Sequence, residues 1–172
     1  MKLIEKFAYR KLQKEAAAVK RRIVLPNPES LRKVCVLWQP SQEQAFKFLH
    51  DYFQRSQTIF RNFCVYSHQT VVAAGTNMIT PKDLDWMGLP KKGIADDFIK
   101  TEYDLLMNIA LEQNLVLHYL TALSRASFKI GRSASGPNFF DLNIQIIGKK
   151  DALYLVKQQI HYLEQLNKKI SV

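Results

Sequence analysis

Leu105-Leu106-Met107-Asn108-Ile109 is the stretch that decides the fold. It is uncharged, too short for a helix, and lacks the apolar–polar alternation of a strand with one face in water. A strand of this kind is covered on both faces, as in a parallel sheet flanked by helices. Working outward from it, residues 94–101 predict a short helix before the strand. After it, Asn114 is placed to cap a helix running to Ala126, with Leu115, Tyr119, Leu120 and Leu123 inward. A brief strand over 128–130 and a longer one over 139–147 follow. Asp151 then caps a last helix carrying Val156, Ile160 and Leu163.

Toward the N-terminus the same alternation holds. Residues 34–38 form a continuous apolar β run, and Ser41-Gln42-Glu43-Gln44 matches a capping box opening a helix with Ala45, Phe48, Leu49 and Tyr52 on one face. Residues 60–66 predict a second strand. The stretch 67–92 is less regular, with a short strand expected at 71–74 or at 78–80. The βαβα order predicts an α/β fold, a three-layer sandwich with a mostly parallel sheet and 105–109 central. The expected organisation is a basic amphipathic helix over 1–25, a linker over 26–30 around Pro26 and Pro28, and one α/β domain over 31–172.

The chain has 172 residues, 47% of them hydrophobic and 23% charged, which suits one packed core and excludes a disordered or fibrous protein. Cys35 and Cys64 lie in apolar runs outside any CxxC pair, so both are expected as reduced core thiols, and no two histidines form an HxxxH pair. No metal or cofactor is expected. Lys6, Arg10, Lys11 and Lys14 interrupt every apolar run near the start, so no signal peptide is expected, and the window 113–124 is too short to span a bilayer. The localisation expected is cytoplasmic.

Net charge is +10, and residues 1–22 carry +6 of it, as five Lys and three Arg against Glu5 and Glu15. At 100° per residue Lys2, Lys6, Arg10 and Lys14 form one stripe, while Ile4, Phe7, Ala8, Leu12, Ala16 and Val19 fall on the opposite arc. Lys20, Arg21 and Arg22 extend the basic set. Such a helix fits structured RNA, an anionic membrane surface or an acidic protein. The bland alternative docks Phe7, Leu12 and Val19 on the domain and leaves the stripe merely solvated.

In open α/β sheets ligands sit beyond the carboxyl ends of the strands. The candidate crevice there is Ser41, His68, Glu112, Arg132 and Ser133, in which an Arg, a His and a carboxylate could bind an anionic ligand and move a proton. Caps and turns account for each residue separately. Gly131-Arg132-Ser133-Ala134-Ser135-Gly136 looks like a phosphate loop but lacks the Gly-Lys-Ser/Thr ending and precedes a strand, so a β-hairpin connection is expected. In the stretch 82–90, Asp83 and Asp85 could ligate a cation but more often cap turns, and Trp86 is expected to close a core edge.

The chain resembles an uncharacterised, mainly Bacteroidetes family known as a domain of unknown function. The resemblance rests on Ile4-Glu5-Lys6-Phe7-Ala8-Tyr9-Arg10-Lys11-Leu12-Gln13-Lys14, on Lys82-Asp83-Leu84-Asp85-Trp86-Met87-Gly88-Leu89-Pro90, and on Tyr103-Asp104-Leu105-Leu106. It continues through Ser124-Arg125-Ala126-Ser127-Phe128-Lys129-Ile130-Gly131-Arg132 and Phe140-Asp141-Leu142. Residues 103–131 are also similar to the N-terminal half of heptosyltransferase-like glycosyltransferases, which bind their sugar nucleotide mainly in a second domain that this chain is too short to hold. The function expected is a noncatalytic binding or adaptor module that contacts an anionic partner through the N-terminal helix. The alternative is a small enzyme, or glycosyltransferase-like remnant, binding an anionic ligand at the strand ends.

Overall fold

In the computed structural model, which describes residues 2–68, 77–148 and 151–170, the chain order is α1 (Leu3–Ala17), β1 (Lys33–Trp38), α2 (Glu43–Gln54), β2 (Ile59–Val65) and β3 (Met78–Ile79). Then come α3 (Asp96–Lys100), β4 (Leu105–Asn108), α4 (Leu115–Leu123), β5 (Lys129–Gly131), β6 (Leu142–Asn143) and α5 (Ala152–Ile170). The strands make one sheet in the order β3-β2-β1-β4-β5-β6, with every pairing parallel. The order reverses between β1 and β4, so α2 and α4 cover opposite faces. The apolar run 105–109 is therefore central, and all four residues of β4 are buried.

Alternate side chains of the central strands feed two cores. Val34, Val36, Leu105, Met107 and Ile130 pack against Ala45, Leu49 and Phe53 of α2 and against Leu155, Val156, Ile160 and Leu163 of α5. Cys35, Leu37, Phe63, Val65 and Leu106 pack against Phe98 of α3 and Val116, Leu117 and Leu120 of α4. Both thiols are free and buried. The caps at Asn114 and Asp151 form, with each side-chain oxygen accepting a backbone N–H of the first turn. The start of α2 differs from expectation. The reciprocal bonds join Gln39 and Gln42 around a single 3-10 turn, Pro40–Gln42, and Ser41 is exposed.

Three segments depart further from the sequence reading. The hairpin expected between the last strands is a crossover, since β5 and β6 run parallel, Ile130 beside Leu142 and Gly131 beside Asn143. The longer strand expected over 139–147 pairs only at Leu142–Asn143, because its flanks are held by side-chain contacts. Phe139 packs beside His118, Phe140 lies flush on Gly131, Asp141 accepts from Arg21 and from the Lys129 N–H, and Ile147 is solvent-exposed. Trp86 does not close a core edge. It is 76% exposed on a turn in which Asp85 accepts from the N–H groups of Met87 and Leu89, while Asp83 caps Thr80. Of the two sites weighed for a short strand, Met78–Ile79 is one; residues 71–74 lie outside the described residues.

The N-terminal helix forms a further layer. Ala8 and Leu12 are fully buried, Leu12 against Ala122 and Leu123 on the outer side of α4. The basic helix read over 1–25 ends at Ala17, although no Gly or Pro lies before Pro26 to stop it. Tertiary bonds stop it instead: Val19 packs under the helix, Arg21 reaches Asp141, and the Val24 N–H donates to the Ser127 carbonyl. Pro26 and Pro28 are buried, and the Pro26 carbonyl accepts from the Asn167 side chain on α5.

Candidate functional site

The first candidate is the outward face of α1. Docking through Ala8, Leu12 and Ala16 leaves Lys2, Lys6, Arg10 and Lys14 exposed together, as the i, i+4 spacing requires. The apolar arc is split, however. Leu3 is 69% and Phe7 51% exposed, among the cations and away from α4, and the Arg10 guanidinium sits 6.0 Å from the Phe7 ring centroid. Lys20 and Arg22 are exposed beyond the helix end, but Arg21 leaves the basic set. Its guanidinium donates to both oxygens of Asp141, at 2.8 and 2.6 Å, and to the Ala126 carbonyl, so its charge is answered inside the fold.

Beneath that ion pair lies Lys129, 2% exposed, with Nζ donating to the Ala122 carbonyl at the end of α4. Burial, with the neighbouring Arg21 charge, pulls its amine down to about 7, against the opposing pull of Asp141. A cavity of about 260 Å³ opens there, bounded by Lys129, Arg21, Asp141 and Phe140 under Ala16 and Val19.

The second candidate is a cleft of about 360 Å³ beyond the carboxyl ends of β4 and β5. Glu112, Arg132 and Ser133 line it together, with Gln113 and His118 beside them. Ser41 and His68 do not join them. Ser41 is exposed on the 3-10 turn after β1, and His68 is exposed past the end of β2, which β1 separates from β4. The histidine of the cleft is His118, which the sequence reading missed. Its only signal was a polar residue inside the apolar helix Leu115–Leu123. The Tyr9 hydroxyl of α1 bonds its Nδ1 at 2.7 Å, its Nε2 is buried without a partner, and burial holds its imidazole down at about 4, so it is neutral at pH 7.

Arg132 is tethered by Nη1 to the Leu111 carbonyl, and its Nε is buried without a partner. Ser133 is held on both sides, its N–H donating to Asn143 and its hydroxyl to the carbonyls of Ser135 and Pro137. Behind the cleft, Asn108 at the end of β4 is fully buried and bonded to Gln113 and Thr121, and Gln113 also donates to the Arg132 carbonyl. This polar network makes a rigid floor. The turn after β1, Trp38-Gln39-Pro40-Ser41, has no glycine, so it lacks the close backbone approach that a dinucleotide pyrophosphate needs. Among the described residues no group of three or more His, Cys, Asp or Glu is arranged to hold a metal ion.

The model of a family of unknown function, DUF6913, matches residues 2–166. The chain belongs to the DUF6913 family. The match to DUF6913 spans α1 as well as the sheet. No curated protein and no solved structure matches this DUF6913 member significantly. No described helix is long and apolar enough to cross a membrane.

Proposed function

We propose that this protein is a cytoplasmic, noncatalytic binding module that attaches to an anionic lipid surface through the outward face of α1. One observation carries the reading. The helix is anchored by one face, through Ala8 and Leu12, while the opposite face offers Lys2, Lys6, Arg10 and Lys14 interleaved with exposed Leu3 and Phe7. Cations alone would suit nucleic-acid phosphates equally, but two exposed apolar side chains among them favour a partner that is both anionic and apolar. Each Lys or Arg near such a surface contributes about 1 kcal/mol and Leu12 is not free to insert, so attachment is peripheral and reversible. The free, buried thiols suit a reducing compartment.

The test compares the natural chain with a variant carrying Gln at positions 2, 6, 10 and 14, and with Phe7→Ser, on anionic vesicles, neutral vesicles and structured RNA at low and high salt. Salt-sensitive binding to anionic vesicles, weakened in both variants, is expected. If neither vesicles nor RNA are bound at low salt, the stripe is a solvated face and the proposal fails. RNA binding that survives Phe7→Ser would assign the face to phosphates instead.

A further inference from the structure

We infer that the cleft beyond β4 and β5 is a binding site for a small oxyanion, a phosphate or carboxylate group, held between the Arg132 guanidinium and Nε2 of His118. The inference rests on two buried polar atoms that the fold itself does not satisfy. The Arg132 Nε and the His118 Nε2 are both buried and both lack a partner, and the residues that carry them line one cleft from separate elements, the loop after β5 and the first turn of α4. A buried donor left unmade forfeits the hydrogen bond it had with water, so two on residues of one cleft mark a place where an acceptor belongs.

The geometry suits an oxyanion. With Nη1 fixed on the Leu111 carbonyl, the remaining edge of the guanidinium, Nε and Nη2, is the fork that takes two oxygens of one carboxylate or phosphate. Neutral His118 adds a third contact. When the Tyr9 hydroxyl donates to Nδ1, the ring hydrogen sits on Nε2, which then needs an acceptor that the fold does not supply. The histidine is 5% exposed and Ser133 6%, so the deep wall is preformed. Glu112 stands at the exposed rim, where water and salt screen its charge. At about 360 Å³ the cleft admits a small molecule and not a polymer. Because Tyr9 belongs to α1, an occupied cleft also fixes the partner that holds α1 against α4.

The test is a titration of the ¹⁵N-labelled full-length protein with inorganic phosphate, against chloride at matched ionic strength, following the Arg132 Nε–H and the His118 ring nitrogens by NMR. A saturable shift confined to these groups is expected, with a rise in the His118 pKa as the oxyanion binds. Arg132→Lys keeps the charge but removes the fork, and it should weaken binding by roughly tenfold. His118→Phe leaves the Leu111 tether in place and should also weaken binding, so it decides the matter if Arg132→Lys does not fold. Shifts that follow ionic strength without saturating, or phosphate affinity unchanged in the folded variants, would overturn the site. Arg132→Lys makes no contact with α1, so its phosphate affinity is read independently of vesicle binding, whereas His118→Phe also removes the Tyr9 bond to α1 and is read with the vesicle assay beside it.

Discussion

Two buried titratable side chains set how this protein responds to pH. Lys129 sits at about 7 in the fold and at 10.5 when unfolded, so between those values the unfolded chain holds the extra proton. Stability therefore rises with pH across that window. Chemical denaturation at a series of pH values should show the rise in the natural chain and not in Lys129→Met, whose relative advantage is largest below pH 7. His118 acts on the acid side. Its folded value of about 4 lies below the 6.5 of the unfolded chain, so its contribution is complete above pH 6.5 and is lost as pH falls toward 4. In His118→Phe the acid limb of the stability curve should flatten; an unchanged limb would show that His118 is solvated and not buried. Cys35 and Cys64 should both be alkylated in unfolded protein without reductant, with the mass rising by two adducts.

At the scale of elements, the contacts that shape the fold are steric as much as apolar. Gly131 on β5 has no room for a side chain, because a Cβ would overlap the Phe140 ring. Gly131→Ala should cost about 1–3 kcal/mol, and Phe140→Leu in the same chain should recover part of it, a coupling that a double-mutant cycle measures. The α1–α4 contact rests on Leu12, buried between Ala122 and Leu123. Leu12→Ala should cost about 2–4 kcal/mol, whereas the Gln substitutions at Lys2, Lys6, Arg10 and Lys14 should each stay within about 0.5 kcal/mol. Comparable losses from both sets would mean that the stripe is structural.

Across the whole molecule, the segment between α1 and β1 is a strap and not a free linker. Arg21 joins it to Asp141, Val24 to Ser127 and Pro26 to Asn167, so it ties α1, the strand starts and α5 together. The chain should accordingly unfold in one cooperative transition, with far-UV circular dichroism and the fluorescence of Trp38 and Trp86 falling together. An early helical transition would show that α1 comes away by itself.

The amino-acid sequence alone determined the α/β class, the central place of the run from Leu105 to Ile109, the caps at Asn114 and Asp151, and the exposed stripe on α1. Each of these follows from periodicity or from one residue acting on its own backbone, and such information is local. Only the tertiary structure decided that β5 and β6 run parallel, that Arg21 turns inward, that Phe7 faces out, and that His118 and not His68 stands with Arg132. Strand order and partner choice depend on which distant elements share a face. A cleft at the strand ends is assembled from loops whose side chains acquire neighbours only when the sheet closes.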